Sequence, residues 1–102
     1  MPISGIAYEF TDQNIENAPE SAGVYALYDG YTIIYIGVAH GGSETIRSRL
    51  RDHRSGRLGP CTQAATMYKR ETSPSPAARQ EELLQEFRLL YSRLPLCNEA
   101  MA

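Results

Sequence analysis

The sequence predicts a small α+β domain, a three-stranded sheet made of a hairpin and a third strand and covered by helices. Residues 23 to 37 form two runs of β-branched and aromatic residues on either side of Asp29-Gly30, the pattern of a hairpin. Two later stretches repeat apolar residues at helical spacing, and a strand-like run, 63 to 71, lies between them. With 102 residues, 42% hydrophobic and 22% charged, the chain has the length and composition of one ordinary globular domain. That composition excludes disordered and collagen-like chains.

The elements follow in order. Residues 1 to 20 are polar with scattered Ile3, Tyr8, Phe10 and Ile15. They read as an N-terminal extension carrying a short strand and a helical turn, ahead of a domain at 21 to 102. After the hairpin and a loose segment comes a helix from about 44 to 55, with Ser43 as its N-cap and Gly56 just past its end. Ile46, Leu50 and His53 line its buried stripe. Arg49 lies about 60° from that stripe, and Arg47 and Arg51 point further out. Residues 63 to 71 make the third strand, in which Tyr68, Lys69 and Arg70 read as an edge with a solvated face. Ser75 and Pro76 then open a longer helix that runs to about Arg93 and is closed by Pro95. Its stripe is Leu83, Phe87, Leu90 and Leu94, and Glu86 sits about 60° from the centre. Each helix thus carries one charged group at the core margin, where it must be paired, hydrated or bound to an ion. A snorkelling Arg and a boundary Glu meet that requirement as well as a functional pair does.

The net charge of -2 does not announce a nucleic-acid binder, yet five of the ten Lys and Arg residues, Arg47, Arg49, Arg51, Arg54 and Arg57, crowd one helix and its end. Arginine suits forked contact with phosphate, and a local cluster steers a polyanion to one side. A solvated helix face is the plainer reading. No apolar run is long enough to span a membrane, and the first residues lack the basic and apolar regions of a signal peptide. Cys61 and Cys97 have no metal-like spacing, and two thiols fit a reducing compartment, so the expected location is the cytoplasm. Neither His40 nor His53 completes a structural zinc site with them.

Gly23-Val24-Tyr25 and Tyr35-Ile36-Gly37 are paired triplets, and they are followed in order by Arg49, Leu50 and His53 and then by Glu86, with Leu89, Leu90, Pro95 and Asn98 three, four, nine and twelve positions further on. In these landmarks the chain resembles the GIY-YIG nucleases, small modules of homing endonucleases, some restriction enzymes and the incision protein of bacterial nucleotide-excision repair. Glu81 and Glu82 do not fit the spacing that Glu86 fits. Two departures stand out: the loop from Gly37 to Arg49, with His40-Gly41-Gly42-Ser43, is longer than usual, and Val38 stands where many members have Lys.

The resemblance implies a metal-dependent endonuclease acting on DNA, with RNA open as a substrate. It implies one divalent cation, Mg²⁺ or Mn²⁺, held by Glu86, with Arg49 stabilising the phosphate. Tyr35 is the expected general base, assisted by Tyr25 and His53, with His53 as the alternative base and Asn98 orienting the site. Arg47, Arg49, Arg51, Arg54 and Arg57 are the expected nucleic-acid contacts, and Gly23 and Gly37 are motif glycines. If both tyrosines serve one site they share a face of the sheet. A three-residue loop, Tyr28-Asp29-Gly30, achieves this by pairing Tyr25 with Ile33 and Gly23 with Tyr35, with Gly23 leaving room beside the Tyr35 ring. Larger relatives carry recognition domains, so selectivity here is expected from the long loop, from a homodimer or from a recruiting partner. The competing reading is a non-catalytic nucleic-acid-binding module of the same fold.

Overall fold

The computed structural model describes residues 2–100. Four antiparallel strands, β1 (Tyr8–Glu9), β2 (Gly23–Asp29), β3 (Thr32–Ala39) and β4 (Met67–Thr72), form one sheet in the order β1-β4-β2-β3. The helices are α1 (Asp12–Glu16), α2 (Ile46–Arg54), α3 (Pro60–Gln63), α4 (Pro76–Tyr91) and α5 (Leu96–Ala100). The α+β class stands. The expected three strands are joined by the short β1, so β4 is an inner strand and not an edge. Tyr68 accordingly points into the core, its hydroxyl donating to the Asn14 carbonyl at 2.8 Å.

Helices pack on both faces of the sheet. Tyr25, Leu27, Tyr35 and Tyr68 face a core shared with Ile15, Ile46, Leu50 and Cys97, from α1, α2 and α5. Val24, Ala26 and Ile36, which alternate with them, face α4 through Leu83 and Phe87. Leu90 is not part of that core: it is 69% exposed, because the last turn of α4, after Phe87, runs beyond the apolar patch that Ile3, Val24, Ala26 and Ile36 provide. No helix among the described residues is long and apolar enough to cross a membrane.

The segment ahead of residue 21 packs into the same body. Phe10, Ile15 and Ala18 are buried with Tyr25, and Ile3 with Val24. Helix α1 is too short to be stable alone. It is capped by Thr11, whose side chain accepts from the Asn14 N–H, and is bound along its length to α2.

The hairpin turn is Gly30-Tyr31 and not Tyr28-Asp29-Gly30. Asp29 pairs with Thr32, and Gly30 takes φ 63 at the first central position, where a two-residue hairpin admits glycine. A bulge between Leu27 and Tyr28 leaves Ile34 as the extra residue, and Tyr25 then pairs with Gly37 and Leu27 with Tyr35. Tyr25 and Tyr35 share a face, as expected, by a different register. The motif glycines also act differently. A Cβ on Gly37 would strike the Cζ, Cε2 and hydroxyl of Tyr25, so Gly37 is the residue that admits the tyrosine ring. Gly23, which pairs with Ala39, instead makes room for the Glu71 carbonyl and Ile46.

Ser43 is not the N-cap of α2. Thr45 is, in a reciprocal capping box with Ser48, while Glu44 is held in the preceding turn by hydrogen bonds in both directions with Gly41. Helix α4 begins at Pro76 after Ser75, as expected, and ends at Tyr91 because Ser92 turns left-handed at φ 58. Cys61 and Cys97 are joined in a disulfide, not free thiols. Helices α3 and α5 lie against each other, which brings together two cysteines 36 positions apart. The cysteine argument for a reducing compartment therefore falls away.

Candidate active site

Strands β2 and β3 deliver two tyrosines to the face under α2, and α2 delivers Arg49 and His53 to the same place. The Tyr25 and Tyr35 rings are 6.1 Å apart, and the His53 ring lies 5.4 Å from the first and 4.9 Å from the second. His53 Nε2 is 2.7 Å from the Tyr25 hydroxyl and its Nδ1 is 2.8 Å from Thr62 Oγ1. Tyr25, His53 and Thr62 are all fully buried. The Arg49 charge also acts on the Tyr25 hydroxyl. The arrangement that suits a positive neighbour has Tyr25 donating to His53 Nε2 and turning its lone pairs toward Arg49. His53 then donates from Nδ1 to Thr62.

Electrostatics separates the roles. Burial raises the Tyr25 phenol well above its ordinary range, with the Tyr35 ring adding to this and Arg49 opposing it. Burial, and next the Arg49 charge, push the His53 imidazole down to about 3. His53 is therefore a neutral ring with both nitrogens engaged and no exposure to solvent. It cannot meet an attacking water, which removes it as the alternative base. It holds Tyr25 instead. Tyr35 differs from Tyr25. Its ring is about nine-tenths buried, and no hydrogen bond from a described residue reaches its hydroxyl.

Asn98 lies at the open edge of β3. Its Oδ1 accepts from the Ile36 N–H at 2.8 Å and its Nδ2 donates to the Ile36 carbonyl at 3.0 Å, so one side chain replaces a missing neighbouring strand. Gln80 of α4 adds a donor to that carbonyl at 3.3 Å. These bonds fix the backbone between Tyr35 and Gly37. Val38 pairs with Val24 and faces the α4 side, so a lysine at this position would start from the face away from the tyrosines.

Glu86 is not brought to this cluster. It lines a cavity of about 200 Å³ on the opposite face of the sheet, with Ala26, Tyr28, Ile36, Lys69 and Leu83. That apolar setting, shared with the Lys69 ammonium, does not fit a hydrated divalent cation bound beside the tyrosines. The carboxylate that does approach the cluster is Glu44, whose Oε1 lies 3.8 Å from Arg49 Nε. Sequence reasoning missed Glu44, read as a first helical residue, and Thr62, which carries no motif. Among the described residues no three His, Cys, Asp or Glu side chains gather as a metal cluster.

The arginine cluster is matched by acids. Arg54 pairs with Asp12 at 3.3 Å, Arg51 with Glu16 at 2.6 Å, and Arg47 with Glu20 at 2.7 Å. These acids stand four apart, so α1 and the residues after it present one acidic row to α2. Arg57 meets Asp52 at 3.7 Å and Arg49 meets Glu44. The predicted nucleic-acid contacts are thus all engaged within the chain.

No family model and no curated protein matches the sequence. Among solved structures, the chain is similar to the GIY-YIG N-terminal endonuclease domain of UvrC from Thermotoga maritima, a tyrosine-to-phenylalanine point mutant bound to its catalytic divalent cation. The TM-score is 0.55 at 23% identity, over 74% of this chain and 87% of that one. The fold is the GIY-YIG fold.

Proposed function

We propose that the chain is a metal-dependent endonuclease that hydrolyses phosphodiester bonds in DNA. The observation that carries this reading is the Tyr35 hydroxyl, without a hydrogen-bond partner among the described residues, on a residue about nine-tenths buried and set beside Arg49 on a GIY-YIG fold. Tyr35 acts as the phenolate: having given its own proton to solvent, it orients the attacking water and takes the water's proton. The Arg49 charge beside Tyr35 favours the negative oxygen that this transfer requires. Arg49 turns its planar fork to the phosphate oxygens as negative charge builds on phosphorus. Tyr25 turns its lone pairs toward Arg49, and His53 and Thr62 hold Tyr25. Asn98 keeps β3, and so Tyr35, in place. A bound Mg²⁺ or Mn²⁺ supplies charge neutralisation at phosphate oxygens.

The biological setting follows from this reading. On this reading the proposed role is in DNA repair, with selectivity supplied by the 40–44 loop, a homodimer or a recruiting partner. The second reading, a nucleic-acid-binding module without turnover, is favoured by Val38 standing where many members of the family have Lys. Nicking of supercoiled plasmid with Mg²⁺ or Mn²⁺ tests the choice. Arg49→Ala should lower the rate by about 10²–10³-fold, the scale for losing one preorganised transition-state donor. Equal background nicking by wild type and variant removes the enzyme reading, and salt-dependent binding by both then supports the module.

A further inference from the structure

We infer that the Cys61–Cys97 disulfide positions the tyrosine pair of this site, so that its reduction by a dithiol turns the nuclease down without unfolding the chain. The inference rests on the nuclease reading for its purpose, but the clamp itself is read from the geometry of the fold.

Each cysteine stands immediately before a residue that supports one of the tyrosines. Thr62 follows Cys61 in α3, and its Oγ1 lies 2.8 Å from His53 Nδ1, whose Nε2 lies 2.7 Å from the Tyr25 hydroxyl. Asn98 follows Cys97 in α5. Its side chain accepts from the Ile36 N–H at 2.8 Å and donates to the Ile36 carbonyl at 3.0 Å, one residue past Tyr35. The disulfide therefore closes a circuit. It runs from Tyr25 through His53 and Thr62 to α3, across the sulfurs to α5, and through Asn98 to the strand that carries Tyr35. With four and five residues, α3 and α5 are too short to be stable alone, and α3 has no side-chain cap at Gly59. Each depends on what it is fastened to.

The rest of the fold does not need this bond. Strand β2 is paired with β3 on one side and with β4 on the other, and α4 is held by its own apolar core on the opposite face. Breaking the bond frees α3 and α5 locally and leaves the sheet assembled. The two cysteines are also unequal. Cys97 is fully buried, whereas Cys61 is partly exposed and is the one a reductant can reach. A dithiol attacks Cys61 Sγ as its thiolate, breaks the S–S bond and forms a mixed disulfide, and Cys97 leaves as a thiolate that takes a proton. The second thiol of the reagent then displaces Cys61, so the reagent becomes a disulfide and the chain gains two electrons and two protons.

The ¹⁵N-labelled full chain, oxidised in air and then treated with dithiothreitol, tests this. In the oxidised state His53 should show the imidazole signals of one neutral tautomer, protonated at Nδ1, and the Ile36 amide should exchange slowly. On reduction the single-tautomer pattern should be lost and Ile36 should exchange about tenfold faster or more, while the amides that join β2 to β4 keep their protection. Plasmid nicking with Mg²⁺ should fall by about 10–10²-fold, the scale for misplacing a positioned reactive group, and return on reoxidation. Cys61→Ser combined with Cys97→Ala should match the reduced wild type and be indifferent to dithiothreitol. If that variant does not fold, the wild type in its two redox states decides alone. No disulfide after oxidation, or unchanged His53 and Ile36 signals on reduction, overturns the inference. So does loss of protection across the whole sheet, because the bond would then brace the fold and not the site. Equal nicking in the two states overturns the switch and leaves the nuclease reading intact. Changed His53 and Ile36 signals without nicking in either state defeat the nuclease reading and leave the clamp standing.

Discussion

The two faces of the sheet are built on opposite terms. Under α2 the chain buries a phenol, an imidazole and a hydroxyl, and each has its partner: Tyr25, His53 and Thr62 form one continuous hydrogen-bonded row. Under α4 the core is small and apolar, and the helix leaves Leu89 87% exposed and Leu90 69% exposed beyond it. A buried polar row is costly when any member is unpaired, so that face must be assembled whole. The α4 face contributes burial, which degrades by degrees. The strands therefore present chemistry on one side and plain apolar adhesion on the other.

The largest expected effect breaks the comparison from the apolar side. Leu83→Ala removes a buried leucine from the smaller core and should cost about 2–5 kcal/mol in denaturant unfolding. Nicking per folded molecule should stay near wild type. A fall in that rate beyond the loss of folded protein would mean that the faces are coupled.

From the polar side, Thr62→Val leaves the His53 Nδ1 proton buried without an acceptor, a cost of about 1–3 kcal/mol. Here nicking should fall along with stability, and Thr62→Ser should restore both. The acid limb of stability reports on the same row. His53 titrates at about 3 in the folded chain against 6.5 in a model peptide, so between those values the unfolded chain binds a proton that the folded chain refuses. Its contribution is complete above pH 6.5 and is lost as pH falls toward 3. Glu71, held down to about 2 chiefly by the Arg79 hydrogen bond, acts only below its ordinary 4.5. Between pH 4.5 and 6.5 the slope therefore belongs to His53. Urea unfolding should lose up to about 1.4 kcal/mol per pH unit there, and His53→Gln should flatten the slope.

How much of this was legible in the sequence depends on the kind of contact. The paired triplets of the resemblance marked Tyr25 and Tyr35, and helical spacing put His53 on the buried stripe of its helix with Arg49 beside it. The register was not legible: Ile33-Ile34-Tyr35 has no alternation to reveal that Ile34 is the bulged residue. Glu86 shows a second limit. Periodicity gave its angle from the α4 stripe but not which flank faces β3. Gln80 occupies that flank and reaches the Ile36 carbonyl, while Glu86 falls on the side of Lys69. The disulfide and the docking of α1 are contacts between distant segments, with no local pattern to announce them.

The smallest effect on folding decides what the arginines of α2 are for. Asp12→Asn, Glu16→Gln and Glu20→Gln together remove the acids facing Arg54, Arg51 and Arg47. The unfolding midpoint should stay close to wild type, since exposed ion pairs are screened and contribute little. DNA binding should respond more strongly. If the acids compete with phosphate for these arginines, the plot of log affinity against log salt should steepen by about 0.9 for each additional phosphate neutralised. Affinity at low salt should rise with it. An unchanged slope would assign Arg47, Arg51 and Arg54 to holding α1 against α2, and would confine phosphate binding on α2 to Arg49, the arginine whose charge also acts on Tyr25. The polar face would then hold the substrate at its buried row alone, with the outer helix surface serving the fold.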